Sequence, residues 1–171
     1  MDIITALAVS IGLLAGVATW LFLGPIGGLG LSVWAAFVAW ACFYHCGGKE
    51  AGLQKTIVHN AFGAALGWLA LIVVSQTSVG AALGVPLWAG ICVGVTVFIL
   101  VIAAKIPMFS DIPASVFGYA CVAALALAGG KLASVTAVSL ENPLINIVIS
   151  MAIGALFGYA SEKGAGAIAK A

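Results

Sequence analysis

Charged side chains are absent from two long stretches of the chain, between Asp2 and Lys49 and between Lys55 and Lys105. Each stretch is too long for one membrane passage of about 20 apolar residues. Each is also broken near its middle, the first at Gly24-Pro25-Ile26-Gly27-Gly28, the second over 75–86, where Ser75 opens the break and Pro86 closes it. Further apolar runs occupy 112–130 and 143–161. The pattern predicts six helical spans, at 3–23, 29–47, 56–76, 85–105, 112–130 and 143–161. Strands of a membrane barrel alternate apolar and polar residues over about ten positions. These runs are longer and uniformly apolar, and a helix satisfies its own backbone hydrogen bonds in lipid.

Composition agrees. Hydrophobic residues make up 64% of the 171, charged residues 6%, and the mean hydropathy is +1.28. A soluble domain is about one-quarter charged, so too few polar residues are present here to cover a water-facing surface. The expected class is an all-α integral membrane protein, a single transmembrane domain over 1–171 with a short tail at 162–171. Lysine placement gives the orientation. If the first helix starts inside, the cytoplasmic segments hold Lys49, Lys55, Lys105, Lys163 and Lys170, and the opposite side holds Lys131. That asymmetry follows the positive-inside rule and puts both termini in the cytoplasm of a cell inner (plasma) membrane protein. The N-terminal run has no basic flank and exceeds a typical signal-peptide core, so it is expected to remain as the first helix. All four cysteines fall inside spans, and no structural disulfide is expected.

The halves resemble each other. Ala61-Phe62-Gly63-Ala64-Ala65-Leu66-Gly67-Trp68 in span three matches Ala152-Ile153-Gly154-Ala155-Leu156-Phe157-Gly158-Tyr159 in span six. Gly12 and Gly16 in span one match Gly90 and Gly94 in span four. Ala39-Trp40-Ala41-Cys42 before Gly47-Gly48-Lys49 matches Gly118-Tyr119-Ala120-Cys121 before Gly129-Gly130-Lys131. The three pairs occur in one order, which predicts an inverted 3+3 repeat over about 3–76 and 85–161. Three spans are an odd number, so the second unit enters from the opposite face. The glycine pairs Gly12/Gly16, Gly63/Gly67, Gly90/Gly94 and Gly154/Gly158 are expected to pack helices closely, within or between protomers.

Candidate chemistry inside the spans is neutral. Asp2, Glu50, Asp111, Glu141 and Glu162 all sit at span ends or in loops, so the buried carboxylates through which proton-coupled transporters commonly relay protons are not expected. His59 and Asn60 lie about one turn inside span three, and Ser150 holds the repeat position of His59. Trp34, Phe37, Ser115, Phe117 and Tyr119 are the other candidates for lining a path. Ser110-Asp111-Ile112-Pro113 reads as an ordinary helix start, with a capping side chain and a first-turn proline. Cys42, His45 and Cys46 share one helix face, a weak candidate soft-metal set, beside the plainer reading that such cysteines are small packing residues. No nucleotide loop, zinc-protease pattern or Ser/His/Asp set is present, and neither a cofactor nor a nucleic-acid partner is expected.

On Leu31-Ser32-Val33-Trp34-Ala35-Ala36-Phe37, Pro113-Ala114-Ser115-Val116-Phe117-Gly118 and Gly154-Ala155-Leu156-Phe157-Gly158-Tyr159-Ala160, the chain resembles the domain-of-unknown-function family 1097, the YcdZ-like inner-membrane proteins. It departs from that pattern at Val33, inserted after Ser32, and at Ala35, where glycine is expected. A fainter resemblance is to algal low-carbon-dioxide-inducible membrane channel proteins. That second resemblance implies a homotrimer and a passive path for a small neutral molecule or gas. The leading expectation is a homo-oligomeric passive channel or facilitator, trimeric by the resemblance, for a small, mostly uncharged solute such as carbon dioxide, lined by spans two, three and five. An ion-coupled secondary transporter and a non-transporting assembly subunit are the alternatives. An enzyme is not expected, because no nucleophile, base or metal set converges.

Overall fold

The computed structural model describes residues 1–169. Lys170, the last of the expected cytoplasmic lysines, and Ala171 at the end of the expected tail lie outside the described residues. Seven α-helices occur among the described residues: α1 (Ile3–Leu23), α2 (Val33–His45), α3 (Lys49–Gln76), α4 (Val79–Leu83), α5 (Val85–Ile102), α6 (Ile112–Leu127) and α7 (Pro143–Ile168). Four are long and apolar enough to cross a membrane: α1, α3, α5 with the turn that follows it to Lys105, and α7. The two expected spans at 29–47 and 112–130 are shorter helices. At 1.5 Å per residue, the 13 residues of α2 and the 16 of α6 reach only about 20 Å and 24 Å, against a hydrocarbon core of about 30 Å.

Local chemistry sets these limits. Asp2 caps α1, its carboxylate accepting from the Thr5 amide at 3.0 Å and from the Thr5 hydroxyl at 2.6 Å. Gly24 ends α1, and the chain then turns through a 3-10 segment at Gly27–Leu29 into Gly30, whose φ of +65° is left-handed. A side chain there would be strained, so α2 starts only at Val33. Before α6 the chain makes two 3-10 turns, Ala103–Lys105 and Pro107–Phe109. Asp111 then caps α6 by accepting from the Ala114 amide at 3.1 Å. Asn142 caps α7, its Oδ1 accepting from the Leu144 amide at 2.9 Å.

The contacts divide the chain into two compact units. One holds Met1–Ile57 and the chain from Ile149 onward, and the other holds Val58–Val148. In the first unit α2 packs against α7. Gly154 meets α2 so closely that a Cβ there would stand 1.9 Å from the Ala36 carbonyl oxygen, and a Cβ on Gly158 would stand 2.9 Å from the Phe43 ring. In the second unit α3 packs against α6. A Cβ on Gly63 would stand 1.6 Å from the Ser115 carbonyl oxygen, and one on Gly118 1.9 Å from that of Asn60. Only glycine permits backbones this close.

Burial repeats between the halves. Ala35, Ala36, Ala39, Cys42 and Phe43 are the buried stripe of α2 beside Trp40, and Ala114, Ser115, Gly118, Cys121 and Val122 are the corresponding buried positions of α6. In α3, His59, Asn60, Gly63, Ala64 and Gly67 are buried, and so are Ser150, Met151, Gly154, Ala155 and Gly158 in α7. Both stripes recur every three to four residues, the spacing of one helix face.

Candidate functional site

Buried polar side chains stand at the start of each short helix. In the second unit the backbone N–H of Asp111, at the α6 cap, donates to Nε2 of His59 at 3.0 Å. His59 is 2% exposed. The accepting nitrogen carries no proton, since a ring nitrogen cannot accept and donate at once. In the first unit the backbone N–H of Ser32, at the α2 cap, donates to Oγ of Ser150 at 2.9 Å. Both Ser32 and Ser150 are buried. The two joints correspond residue for residue: the cap position of each short helix bonds to the matching position on the long helix beside it.

The candidates named from sequence separate by burial and by unit. His59, Asn60 and Ser115 are buried at the α3–α6 crossing, with the Ser115 hydroxyl donating back to the Asp111 carbonyl at 3.2 Å. Phe117 and Tyr119 are half-buried on α6. The Thr96 hydroxyl donates to the Cys92 carbonyl at 2.8 Å, so the Tyr119 hydroxyl, 2.9 Å away, donates to Thr96. Trp34 and Phe37 lie on the exposed side of α2. Phe37 helps line an apolar groove of about 230 Å³ with Ile11, Trp40, Ala41 and Tyr44. At Gly63 and Gly118 the backbones of α3 and α6 meet directly, beside His59 and Asn60.

Four of the eight expected packing glycines, Gly63, Gly67, Gly154 and Gly158, sit in helix crossings. For Gly12, Gly16, Gly90 and Gly94, nothing among the described residues lies within 4 Å of an added Cβ.

Sequence reasoning passed over a second buried network. Ser161 accepts from the Trp40 indole at 3.0 Å and from the Tyr44 hydroxyl at 2.7 Å, and it donates to the Gly158 carbonyl at 2.7 Å. The Ser10 hydroxyl donates to the Ser161 carbonyl at 2.8 Å. A serine at the end of an apolar run was the available signal, but its partners lie more than a hundred residues away in the chain. The loop after α6 is similarly fastened. The Trp68 indole donates to the Val135 carbonyl at 2.7 Å, and the Asn142 amide donates to the carbonyls of Val135 and Ala137 at 3.0 and 2.8 Å.

For metals, the described residues contain no group of three or more His, Cys, Asp or Glu that could hold an ion. His45 therefore does not join Cys42 and Cys46 in such a group. The two sulfurs are 3.9 Å apart.

Fold and site define an all-helical protein, over the described residues, with four helices suited to cross a membrane and two short helices each tied at its start to a buried polar side chain. Residues 8–166 match the family described as "Protein of unknown function (DUF1097)", and the chain belongs to that family. No curated protein and no solved structure matches it.

Proposed function

We propose that the protein is a passive facilitator for a small, mostly uncharged solute, built as an inverted 3+3 repeat with six passages. In this reading α2 and α6 are discontinuous passages, completed by the segments at 24–32 and 106–111, which are irregular chain apart from the 3-10 turns Gly27–Leu29 and Pro107–Phe109. The observation that carries it is the pair of matching joints, Ser32 to Ser150 and Asp111 to His59. Non-helical backbone at membrane depth is tolerated only where it is buried in protein or lines a water-filled cavity. Membrane transport sites are repeatedly built from broken helices in inverted repeats. The matching buried stripes of α2 with α6 and of α3 with α7 support the same duplication.

Passive movement and a neutral solute follow from the side chains. The sequence places no carboxylate between Asp2 and Glu50 or between Glu50 and Asp111, and Asp111, in the segment that completes the α6 passage, caps that helix, so the passages offer no chain of carboxylates to relay protons. The side chains offered instead are hydroxyls, an imidazole, an amide and aromatic rings. Carbon dioxide heads the candidate solutes through the algal resemblance, which also favours a trimer. Inner-membrane placement with cytoplasmic termini rests on the lysine asymmetry. An assembly subunit is the second reading, favoured by the uncovered glycines Gly12, Gly16, Gly90 and Gly94, over which another helix could close.

Stopped-flow permeability of proteoliposomes tests the reading, with carbon dioxide, ammonia, urea, glycerol and water as solutes, against empty vesicles and vesicles holding an unrelated protein. A selective increase for one solute without an ion gradient, reduced in Asn60→Ala or Phe117→Ala, supports the facilitator. An increase for none of them removes the passive reading for that panel, and accumulation only under an ion gradient favours a coupled transporter.

A further inference from the structure

We propose that Cys42 and Cys46 form a binding site for one copper(I) ion per chain. The two residues occupy the last turn of α2. Cys46 is its cap, and the Cys46 amide donates to the Cys42 carbonyl at 2.8 Å. Their sulfurs stand 3.9 Å apart. Two thiolates bonded at about 2.3 Å to a shared ion, at an angle between tetrahedral and trigonal, stand about 3.8–4.0 Å apart. The pair therefore already has the bite of such an ion. A disulfide would need the sulfurs at about 2.0 Å.

The turn that holds Cys46 is fixed. The Gly47 amide donates to the Tyr44 carbonyl and the Gly48 amide to the Phe43 carbonyl, both at 3.1 Å. Gly47 and Gly48 take φ values of +92° and +67°, and the Lys49 amide is held by the Glu162 carboxylate at 2.7 Å. Cys42 is fully buried and Cys46 is half-exposed, so the pair reaches the surface at Cys46. Paired soft thiolates with no carboxylate beside them in a three-residue set select copper(I) over hard cations. Binding balances as the two cysteine thiols, one small thiol and one copper(I) giving a three-coordinate copper thiolate and three released protons. A third coordination position falls to a small thiol from solution.

The test uses the whole chain in detergent, fully reduced and free of oxygen. Copper(I) is titrated in competition with a chromogenic copper(I) chelator. The expected result is one equivalent of copper(I) withheld per chain. The withheld copper should show sulfur neighbours at about 2.3 Å by X-ray absorption. Cys42→Ser and Cys46→Ser should each weaken binding by more than the roughly 10–100-fold cost of losing an outer-shell partner. Cys92→Ser and Cys121→Ser should leave it unchanged. Cys46→Ser changes a half-exposed cap position, and an unaltered elution profile and helical signal for it show that the fold is intact. The proposal is overturned if the wild-type chain withholds no copper, if Cys46→Ser binds like wild type, or if Cys92→Ser and Cys121→Ser lose binding equally.

Discussion

Adding one methyl group at Gly63 tests the packing of the second unit. A Cβ there would stand 1.6 Å from the Ser115 carbonyl oxygen and 2.6 Å from its carbon, whereas ordinary contact begins near 3.4 Å. The obstacle is backbone, which cannot rotate away, so α3 and α6 must separate by about 1.8 Å at this level. Separation would also open the Gly118–Asn60 contact and loosen Ala64 and Ala114, both fully buried. Overpacking of this kind costs typically 1–3 kcal/mol, occasionally more. Alanine returns about 0.5–1 kcal/mol as the better helix former. Gly63→Ala is therefore expected to destabilise the protein by about 0–2.5 kcal/mol net. Gly12→Ala, with nothing within 4 Å of its Cβ, is expected to be neutral or stabilising by up to about 1 kcal/mol. Unfolding of both variants in mixed micelles, by titration with a denaturing detergent, gives the comparison. Equal stability of Gly63→Ala and Gly12→Ala would refute the closed crossing.

Three further outcomes are expected. Ser150→Ala removes the acceptor of the Ser32 amide and should destabilise by about 1–3 kcal/mol, with faster hydrogen exchange confined to the start of α2; uniform protection across α2 would contradict the joint. Asn142→Ala removes two donors to the loop after α6 and the cap of α7, for a cost of about 2–3 kcal/mol and earlier proteolysis at 128–142. Asp2 is held below the usual carboxylate range, first by the Thr5 hydroxyl and then by its amide. A lowered native pKa stabilises above the ordinary carboxylate value and is lost as pH falls through the native one. Exchange at the Thr5 amide should therefore accelerate, beyond its intrinsic pH dependence, only on acidification through that window.

Much of the helical layout was legible because charges avoid lipid. The gaps between Asp2 and Lys49 and between Lys55 and Lys105 located α1, α3 and α5, and the final apolar run located most of α7. Helix ends were less legible. The prediction began span three at 56, but α3 starts at Lys49, and span six was to end at 161, but α7 continues to Ile168. Charged turns extend both helices, and their partners hold them: Lys163 pairs with Glu50 at 3.0 Å, and the Tyr159 hydroxyl donates to the same carboxylate at 2.7 Å. Hydropathy cannot register a helix that continues past the apolar run. Conversely, α2 and α6 came out shorter than expected, because Gly30 and Gly130, with φ of +65° and +70°, belong to turns that an apolar count includes in the span.

The candidate site divided in the same way. His59 and Asn60 stood out as polar residues in apolar surroundings, and both are buried. Ser150 was visible as the residue in the His59 position, but its role as acceptor for Ser32 depends on a contact across 118 residues of chain. The repeat among the glycines was visible as spacing alone. Which glycines touch another helix was not, because Gly12 and Gly63 look alike in sequence and differ only in what lies opposite.

The inverted arrangement underlies the functional reading, and membrane topology tests it most directly. Lys49→Cys and Lys131→Cys, introduced singly into a chain without its own cysteines, mark the turns that follow α2 and α6. They are labelled with a membrane-impermeant thiol reagent in intact cells and in inverted vesicles. If α2 and α6 each complete a crossing, the two positions label from opposite faces. Labelling of both from one face would mean that the short helices do not cross, leaving four passages and no inverted repeat.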